Sequence, residues 1–306
     1  MKEVYEMQIG MIGLGKMGLN LVKNMIRNGN EVVAFDLNPE SVELAVAAGA
    51  TGATSNADLV SKLDGPRTVW IMVPAGAPTD STVSDMVSLL SEGDYLIDGG
   101  NSFYEDSIRH GELAAEEGIN FFDCGTSGGM NGALNAGNFM IGGPSAEKFE
   151  HLKPLYEGIS EKDGYLYTGK IGSGQFLKMV HNGIEYGMMG AIGEGFDVLE
   201  NSQFDYNNEA VAKVWNHGSV VRGWLMELAE EAFAKDDKLS AIAGVMHSSG
   251  EGKWTVQEAL KENVATPVIT ASLYERYASM TDDSFTGKVV SALRNGFGGH
   301  AMDMKK

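Results

Sequence analysis

At 306 residues the chain is long enough for two domains, and its 43% hydrophobic and 21% charged residues are typical of a globular protein. The formal net charge of −19 argues against nucleic-acid and membrane-surface partners, because both are bound through basic faces. A single cysteine, Cys124, excludes an internal disulfide and a cysteine-based structural zinc site, and we interpret it as a small buried apolar residue.

The opening residues, MKEVYEMQIG, include acidic side chains and lead directly into a strand-like run. They lack the basic and then apolar layout of a secretory signal. No apolar run further along approaches the length of a membrane span. We therefore expect a cytoplasmic protein with no membrane partner.

Short apolar runs alternate with helix-length amphipathic segments through the first half of the chain. The runs are Gln8–Ile12, Glu31–Phe35, Thr68–Val73, Tyr95–Asp98 and Asn120–Cys124. This alternation predicts an α/β, Rossmann-type, doubly wound parallel sheet. From Gln175 onward the periodicity is helical, and a long helix is expected through Leu199. We place the boundary near residue 170, which gives a Rossmann domain at 1–170 followed by an all-α helical domain at 171–306.

A glycine fingerprint, Gly13, Gly15 and Gly18, lies between the first run and the next helical segment. This spacing permits a tight turn and a close approach of the backbone to a pyrophosphate, which the helix amino end then binds. The alternative is a structural strand-to-helix turn. Asp36, at the end of the second run, fits a carboxylate that accepts hydrogen bonds from the ribose hydroxyls of NAD. The alternative there is an exposed strand-end aspartate.

The charge around Asp36 indicates which nicotinamide cofactor is preferred. No arginine follows within LNPES, so the 2′-phosphate of NADP would meet an uncompensated negative charge. We predict NAD as the cofactor, with NADP less favoured. The predicted cofactor-binding residues are Gly13, Leu14, Gly15, Lys16, Met17, Gly18, Asp36, Val73, Pro74, Ala75 and Asn101.

Four polar residues share one stripe of the predicted long helix: Lys178, His181, Asn182 and Glu185. The flanking residues are mostly apolar, so the stripe is expected to face a site inside a packed domain. The alternative is an ion pair on a solvated surface. Two polar segments, 98–102 and 126–129, follow apolar runs at the sheet edge where open α/β sheets bind ligands.

Six motifs along the chain carry a resemblance to a known family. They are IGLGKMG at 12–18, GGNS at 99–102, SGG at 127–129, KMVHNGIEY at 178–186, GKWT at 252–255 and RNGFGGH at 294–300. Together they resemble the 6-phosphogluconate dehydrogenases of the β-hydroxyacid dehydrogenase superfamily. HNGIEY is the most specific motif, since a superfamily lysine alone also fits a 3-hydroxyisobutyrate dehydrogenase. The length is similar to that of the short bacterial, NAD-preferring form.

The resemblance implies oxidative decarboxylation of 6-phosphogluconate to ribulose 5-phosphate and carbon dioxide, without a metal, in the pentose phosphate pathway or gluconate catabolism. It implies Lys178 as the base and then the acid of the redox steps, and Glu185 as the acid that protonates carbon. A neutral lysine base has to be desolvated or crowded by cations, because its ordinary pKa is about 10.4. The implied substrate-binding residues are Asn101, Ser127, Gly128, Gly129, His181, Asn182, Tyr186, Lys253, Arg276, Arg294 and His300.

The chain departs from the long form of the family before GKWT. The long form has KGTGKWT, whereas this chain has Ser249-Gly-Glu-Gly-Lys-Trp-Thr, so one phosphate contact is in doubt. Lys253 or the Ser249 hydroxyl is the expected substitute. In the long form the tail arginine and histidine reach into the neighbouring subunit, which implies a homodimer or a higher homo-oligomer here. Arg294 and His300 lie in a glycine-rich stretch, which we expect to be weakly helical and able to extend from its own subunit.

Two other functions are compatible with part of the sequence. A 3-hydroxyisobutyrate-type dehydrogenase would share Lys178 and the glycine fingerprint but would need no phosphate site and would not decarboxylate. A non-catalytic nucleotide sensor could use the same fold, but it would have no need of Lys178 and Glu185.

Overall fold

The computed structural model describes residues 7–304. Eight strands form one sheet in the order β3-β2-β1-β4-β5-β6-β7-β8. Their bounds are β1 Gln8–Ile12, β2 Glu31–Phe35, β3 Thr51–Gly52, β4 Thr68–Ile71, β5 Tyr95–Asp98, β6 Asn120–Ser127, β7 Gly137–Gly142 and β8 Ser160–Gly169.

Thirteen helices are present in the described part of the chain. The first seven are α1 Lys16–Arg27, α2 Pro39–Ala47, α3 Asn56–Ser61, α4 Ala77–Leu89, α5 Tyr104–Glu116, α6 Gly129–Asn135 and α7 Ala146–Ile159. The remainder are α8 Ser173–Glu200, α9 Asn208–Asn216, α10 Trp224–Lys235, α11 Gly250–Lys261, α12 Pro267–Ser279 and α13 Phe285–Gly298.

The predicted fold class is confirmed: a mostly parallel, doubly wound sheet precedes a helical region. Alternate residues of each central strand enter two separate hydrophobic cores, as Ile9 and Met11 do on one face and Ile12 and Ile71 on the other. Helices cover both faces, so the interior positions of these strands are apolar on both faces and do not alternate with polar residues. The carboxyl ends of β1, β4, β5 and β6 therefore share one edge of the sheet.

The second half of the sheet differs from the prediction. Strand β7 runs antiparallel to β6, and both β7 and β8 lie in segments that showed no strand pattern in the sequence. Strand β6 also continues to Ser127, so Thr126 and Ser127 belong to the strand and do not follow it. The expected run Thr68–Val73 ends as a strand at Ile71.

The chain divides into two compact units, which meet in sequence between His181 and Asn182. This junction lies inside α8, whereas the boundary at residue 170 remains a sequence-based prediction. In the second unit, Phe196, Ala212, Met226 and Phe233 form one small core, and Tyr186, Val256 and Leu273 form another.

Residues 1–6 and 305–306 lie outside the described residues. The predicted absence of an export signal depends partly on residues 1–6. Among residues 7–304, no helix combines the length and the apolar character needed to cross a bilayer.

Candidate active site

The glycine loop between β1 and α1 has the geometry of a nucleotide-binding turn. Gly13 has φ +94°, and a β-carbon there would overlap the carbonyl oxygen of Met72. A β-carbon at Gly18 would overlap the carbonyl oxygen of Gly13, so helix and strand pack backbone to backbone at this point. Gly15 begins α1 without a side-chain cap, and a β-carbon there would meet no atom of the described residues within 4 Å. The first turn of α1 is therefore accessible to an anionic group.

Asp36 follows β2 and holds this loop in place. Its Oδ2 accepts a hydrogen bond from the Leu14 backbone N–H at 2.6 Å, and its Oδ1 accepts one from Asn38 N–H at 2.8 Å. A carboxylate offers about four acceptor positions, so both oxygens retain capacity for ribose hydroxyls. The residue thus fits the predicted cofactor role and adds a structural one.

The loops after β4 and β5 approach one another at the same edge of the sheet. Val73, Pro74 and Ala75 follow β4, and the Pro74 carbonyl accepts a hydrogen bond from Thr79 Oγ1 at 2.9 Å. A β-carbon at Gly100 would lie 2.9 Å from the Val73 carbonyl oxygen. The predicted cofactor contacts at Val73–Ala75 and Asn101 therefore belong to adjoining loops.

The end of β6 and the start of α8 bring further predicted residues together. The Ser127 hydroxyl lies 3.3 Å from His181 Nε2, within hydrogen-bonding distance. Gly128 and Gly129 have φ values of +99° and +59°, a backbone conformation that glycine adopts without strain. The SGG motif is therefore a turn whose backbone is set by its two glycines.

Lys178 is only 7% exposed, which excludes the solvated surface ion pair considered as an alternative. Its aliphatic stem lies against Gly125 of β6, where a β-carbon would come within 2.9 Å of Lys178 Cγ. The burial of the Lys178 side chain fits the desolvation that the predicted base role requires.

Two buried carboxyls lie beneath these loops. Asp98 begins the polar segment 98–102 that the sequence indicated, whereas Asp123 lies within an apolar run and was not predicted as a site residue. Asp98 and Asp123 are paired positions on the parallel neighbours β5 and β6, and both side chains are fully buried. Burial raises the pKa of Asp123 to about 6, with backbone hydrogen bonds from Gln175 and Gly172 opposing the shift. Burial also raises the pKa of Asp98, against hydrogen bonds from Ser102 and Gly100.

Cys124 is fully buried, and burial raises the pKa of its thiol to about 12. The thiol is therefore protonated at neutral pH. This agrees with the interpretation of Cys124 as a small buried apolar residue.

In the second unit, the predicted substrate residue Asn182 is held by a buried acid. Asn182 Nδ2 donates to Glu251 Oε1 at 2.9 Å, and both side chains are buried. Glu251 stands in the segment where the chain departs from the long form of the family. It contacts a predicted substrate-binding residue, and the sequence indicated it only as part of this departure.

Tyr186, Ser249 and Arg276 form a second group in this unit. The Tyr186 hydroxyl accepts from Ser249 N–H at 3.1 Å and lies 3.3 Å from Ser249 Oγ. The Arg276 guanidinium lies 3.8 Å from the centroid of the Tyr186 ring and donates to the His247 carbonyl at 2.8 Å. Two residues expected at the phosphate, Tyr186 and Arg276, are therefore in contact, together with the expected substitute Ser249.

Three other predicted substrate residues are exposed: Lys253 on α11, Arg294 on α13 and His300 beyond it. The tail is a regular 14-residue helix and not the weakly helical stretch that its glycines suggested. No residue of α13, all of which is within the described part of the chain, is buried. His300 packs back on its own tail, with its ring 6.2 Å from that of Phe297.

Comparison with known families covers both units. Residues 8–171 match the NAD binding domain of 6-phosphogluconate dehydrogenase, and residues 174–289 match the 6-phosphogluconate dehydrogenase C-terminal domain. The chain belongs to the 6-phosphogluconate dehydrogenase family. The second match ends at residue 289, so Arg294 and His300 of this family member lie beyond it.

Relatives of full length support the assignment to the 6-phosphogluconate dehydrogenases. The YqeC protein of Bacillus subtilis, provisionally named as a 6-phosphogluconate dehydrogenase, is 56% identical over 98% of this chain and 100% of its own length. The NAD(+)-dependent, decarboxylating 6-phosphogluconate dehydrogenase of Haloferax volcanii is 44% identical over 98% of this chain and 99% of its own. The solved 6-phosphogluconate dehydrogenase of Plasmodium falciparum is 29% identical, with a TM-score of 0.82 over 98% of this chain and 67% of that one.

Proposed function

We propose that this chain catalyses the oxidative decarboxylation of 6-phospho-D-gluconate to D-ribulose 5-phosphate and carbon dioxide, with reduction of NAD. The full-length similarity to a Haloferax volcanii enzyme of that name supports the proposal. The structural observation that carries it is the buried Lys178, packed on the strand that ends in the SGG turn.

The residues of the first unit fit NAD. The uncapped first turn of α1 suits the pyrophosphate, and the Asp36 carboxylate suits the adenosine ribose hydroxyls. The bound nicotinamide would accept the hydride from C3 of the substrate. Asp36 disfavours a 2′-phosphate at the same position by charge repulsion, so NAD is preferred over NADP.

Lys178 and Glu185 carry the proton transfers in this proposal. Lys178 takes the proton of the 3-hydroxyl as the hydride leaves C3, which gives a 3-keto acid. Its ammonium then donates a hydrogen bond to the ketone oxygen as the carboxyl group leaves as carbon dioxide, because the electron pair of the broken bond moves into an enolate. Glu185, two turns further along α8, donates a proton to the carbon that lost the carboxyl group.

The substrate-binding residues divide into two groups. Asn101, Ser127, Gly128, Gly129, His181 and Asn182 are proposed to hold the carboxylate and the hydroxyls. Tyr186 and Arg276 are proposed to hold the phosphate, since a guanidinium makes charge-assisted, bidentate contacts to phosphate oxygens. Ser249 and Lys253 are the proposed substitutes for the contact that the long form makes before GKWT.

The exposed tail helix supports a homodimer. Phe285, Val289, Leu293 and Phe297 of α13 follow one another at intervals of four residues, which places them on one stripe of the helix, and all are exposed within the chain. An exposed apolar stripe of this kind favours burial against a second copy. We propose that Arg294 and His300 then complete the phosphate site of the partner.

A cytoplasmic location and a role in the pentose phosphate pathway or gluconate catabolism follow as proposals from this substrate. The function that we propose involves neither nucleic acid nor a membrane.

Initial-rate assays test the proposal against its rivals. NAD reduction with 6-phosphogluconate should exceed that with 3-hydroxyisobutyrate by orders of magnitude. A preference for 3-hydroxyisobutyrate would establish the non-decarboxylating alternative, and NAD binding without turnover of either substrate would establish a nucleotide sensor.

A further inference from the structure

Three alternate residues in the carboxyl-terminal half of β6 meet the amino-terminal part of α8. Asp123, Gly125 and Ser127 face the same side of the sheet, because side chains alternate along a strand. Asp123 contacts the first turn of α8, Gly125 lies against Lys178, and Ser127 lies against His181. This half of β6 therefore packs along the part of α8 that carries Lys178 and His181.

Asp123 is the anchor of this arrangement. Its Oδ1 accepts a hydrogen bond from Gly172 N–H at 2.6 Å, and its Oδ2 accepts one from Gln175 N–H at 2.8 Å. These amides belong to the start of a helix, where backbone N–H groups have no intrahelical partner. The carboxylate is also favourably placed for the helix dipole. Asp123 thus fixes both the axial position of α8 and its rotation.

The helix has little freedom to shift on the sheet at this point. A β-carbon at Gly174 would lie 2.6 Å from the Gly142 nitrogen and 2.7 Å from the Asp123 carbonyl oxygen, so backbone packs directly on backbone. Lys178 lies one helical turn after Gly174, so the packing of Gly174 on the sheet sets the position of Lys178.

The same turn of α8 also fixes the loop that carries Asn101. Gln175 Nε2 donates to the Gly100 carbonyl at 2.8 Å. Asp98 accepts from the Gly100 N–H at 3.0 Å and from the Ser102 hydroxyl at 2.7 Å. Both polar groups of the Gly100 backbone are therefore held by one connected network that runs from Asp98 through Gln175 to Asp123.

We infer that Asp123 is a positioning residue for the reaction: by holding the first turn of α8 it places the Lys178 amine, and through Gln175 it places the Asn101 loop. This inference rests on the proposed function. Asp123 touches neither substrate nor cofactor in this account, and its effect is transmitted through backbone contacts.

Asp94 provides a matched control on the same sheet. It is also a buried aspartate that accepts two backbone N–H groups, those of Arg67 at 2.8 Å and Ser91 at 2.9 Å, and it differs from Asp123 in a further ion pair with the Arg67 guanidinium at 3.2 Å. It precedes β5 and so lies at the opposite edge of the sheet from Asp98. Replacing Asp94 should lower stability as replacing Asp123 does, without reaching Lys178.

The test compares Asp123→Asn with Asp94→Asn in the full chain. Wild-type turnover of 6-phosphogluconate is measured first, and its absence would refute the proposed function and not this inference. In an active enzyme, Asp123→Asn should lower kcat by about tenfold to a hundredfold, because a displacement of about 1 Å at a catalytic group has effects of this size. The KM for NAD should change less than kcat, because β4 and β5 separate Asp123 from the glycine loop after β1 and Asp123 reaches the predicted cofactor contacts only through the Asn101 loop.

Two further readouts distinguish positioning from loss of structure. The primary isotope effect on kcat with substrate deuterated at C3 should rise in Asp123→Asn, because a displaced base slows the hydride step. Asp94→Asn should keep a near wild-type kcat and isotope effect at a comparable loss of Tm. Asp123→Asn keeps one acceptor oxygen and turns the other into a donor, whereas Asp123→Ser has one hydroxyl on a shorter side chain and should lower kcat at least as far. Asp123→Ser replaces Asp123→Asn if that variant does not fold. Wild-type kcat in a folded Asp123 variant, or an equal loss in Asp94→Asn, would overturn the inference.

Discussion

Gly125 and Lys178 are in direct van der Waals contact, with the α-carbon of the strand residue facing the stem of the lysine. A β-carbon at position 125 would overlap Lys178 Cβ and would lie 2.9 Å from its Cγ. The Gly174 carbonyl closes the same space at 3.1 Å. A side chain at position 125 therefore has to displace either the lysine or the helix that carries it.

Gly125→Ala should consequently lower kcat for 6-phosphogluconate by about tenfold or more, with NADH binding close to wild type in a fluorescence titration. Gly158→Ala is the matched control, since a β-carbon there would make an ordinary contact of 3.4 Å with Asn28 on another face of the unit. Unchanged kcat in Gly125→Ala would show that the lysine tolerates displacement.

The cofactor preference can be tested at Asp36 and Leu37. The wild-type enzyme should have a higher kcat/KM with NAD than with NADP, because the Asp36 carboxylate repels a 2′-phosphate. Asp36→Ser combined with Leu37→Arg should weaken or reverse that ratio, since Leu37 is 92% exposed and an arginine there can reach a phosphate. Affinity for both cofactors should fall somewhat, because Asp36 also holds Leu14 N–H.

A wild-type preference for NADP in the same assay would contradict this assignment. Leu37→Arg alone separates the two contributions: it adds the phosphate partner while leaving the Asp36 contacts to the loop intact.

The raised pKa of Asp123, about 6, predicts a pH-dependent contribution to stability. Between about pH 4 and pH 6 the folded protein holds a proton that the unfolded chain has released, so this stabilisation is complete at low pH and is lost as pH rises through 6. We expect the free energy of unfolding of the wild type, minus that of Asp123→Asn, to fall by roughly 3 kcal/mol as pH rises across this window. Urea titrations at several pH values provide the measurement.

Other titratable groups face Asp123. Asp98 is the neighbouring carboxyl whose pKa burial also raises, and the two acids repel when both are charged. Tyr156 and Tyr167 also interact electrostatically with Asp123, but burial raises their pKa values, so neither tyrosine titrates between pH 4 and pH 6. If the difference in free energy of unfolding between wild type and Asp123→Asn does not change with pH, or grows as pH rises, the raised pKa of Asp123 is contradicted.

Local patterns in the sequence were sufficient for the cofactor loop, because the fingerprint glycines and Asp36 lie close together in the chain and act through their own backbone. The apolar central strands were equally plain. Strand β8 was missed because its first half, SEKDG, is charged and glycine-containing, which is common in edge strands. Strand β7 contains glycine at both ends and gave no alternating pattern.

The network around Asp98 and Asp123 could not be predicted from local sequence. Each is a single acid within or at the end of an apolar run, and its importance depends on which strands are neighbours and which helix begins beside them. The prediction of a weakly helical tail was wrong for a different reason. Glycine lowers helix propensity, but the Ser284 side chain caps the first turn of α13 and Gly299 ends the helix in a left-handed conformation.

The tail predicts complementation between subunits. Arg294→Ala should raise the KM for 6-phosphogluconate far more than the KM for NAD, because a neutral side chain cannot replace bidentate phosphate contacts. If the tail crosses to a second copy, mixing Lys178→Ala with Arg294→Ala should regenerate some complete sites. Absence of recovery despite demonstrated subunit exchange would show that the tail serves its own chain or that the phosphate is bound elsewhere.

The most direct test of the proposed function is the ratio of carbon dioxide to NADH formed from 6-phosphogluconate labelled at the carboxyl carbon. Our account predicts one labelled carbon dioxide for each NADH and ribulose 5-phosphate as the product. It also predicts that Lys178→Met loses both signals by about two orders of magnitude or more. NADH formed without carbon dioxide, or a Lys178→Met variant that retains both, would contradict it.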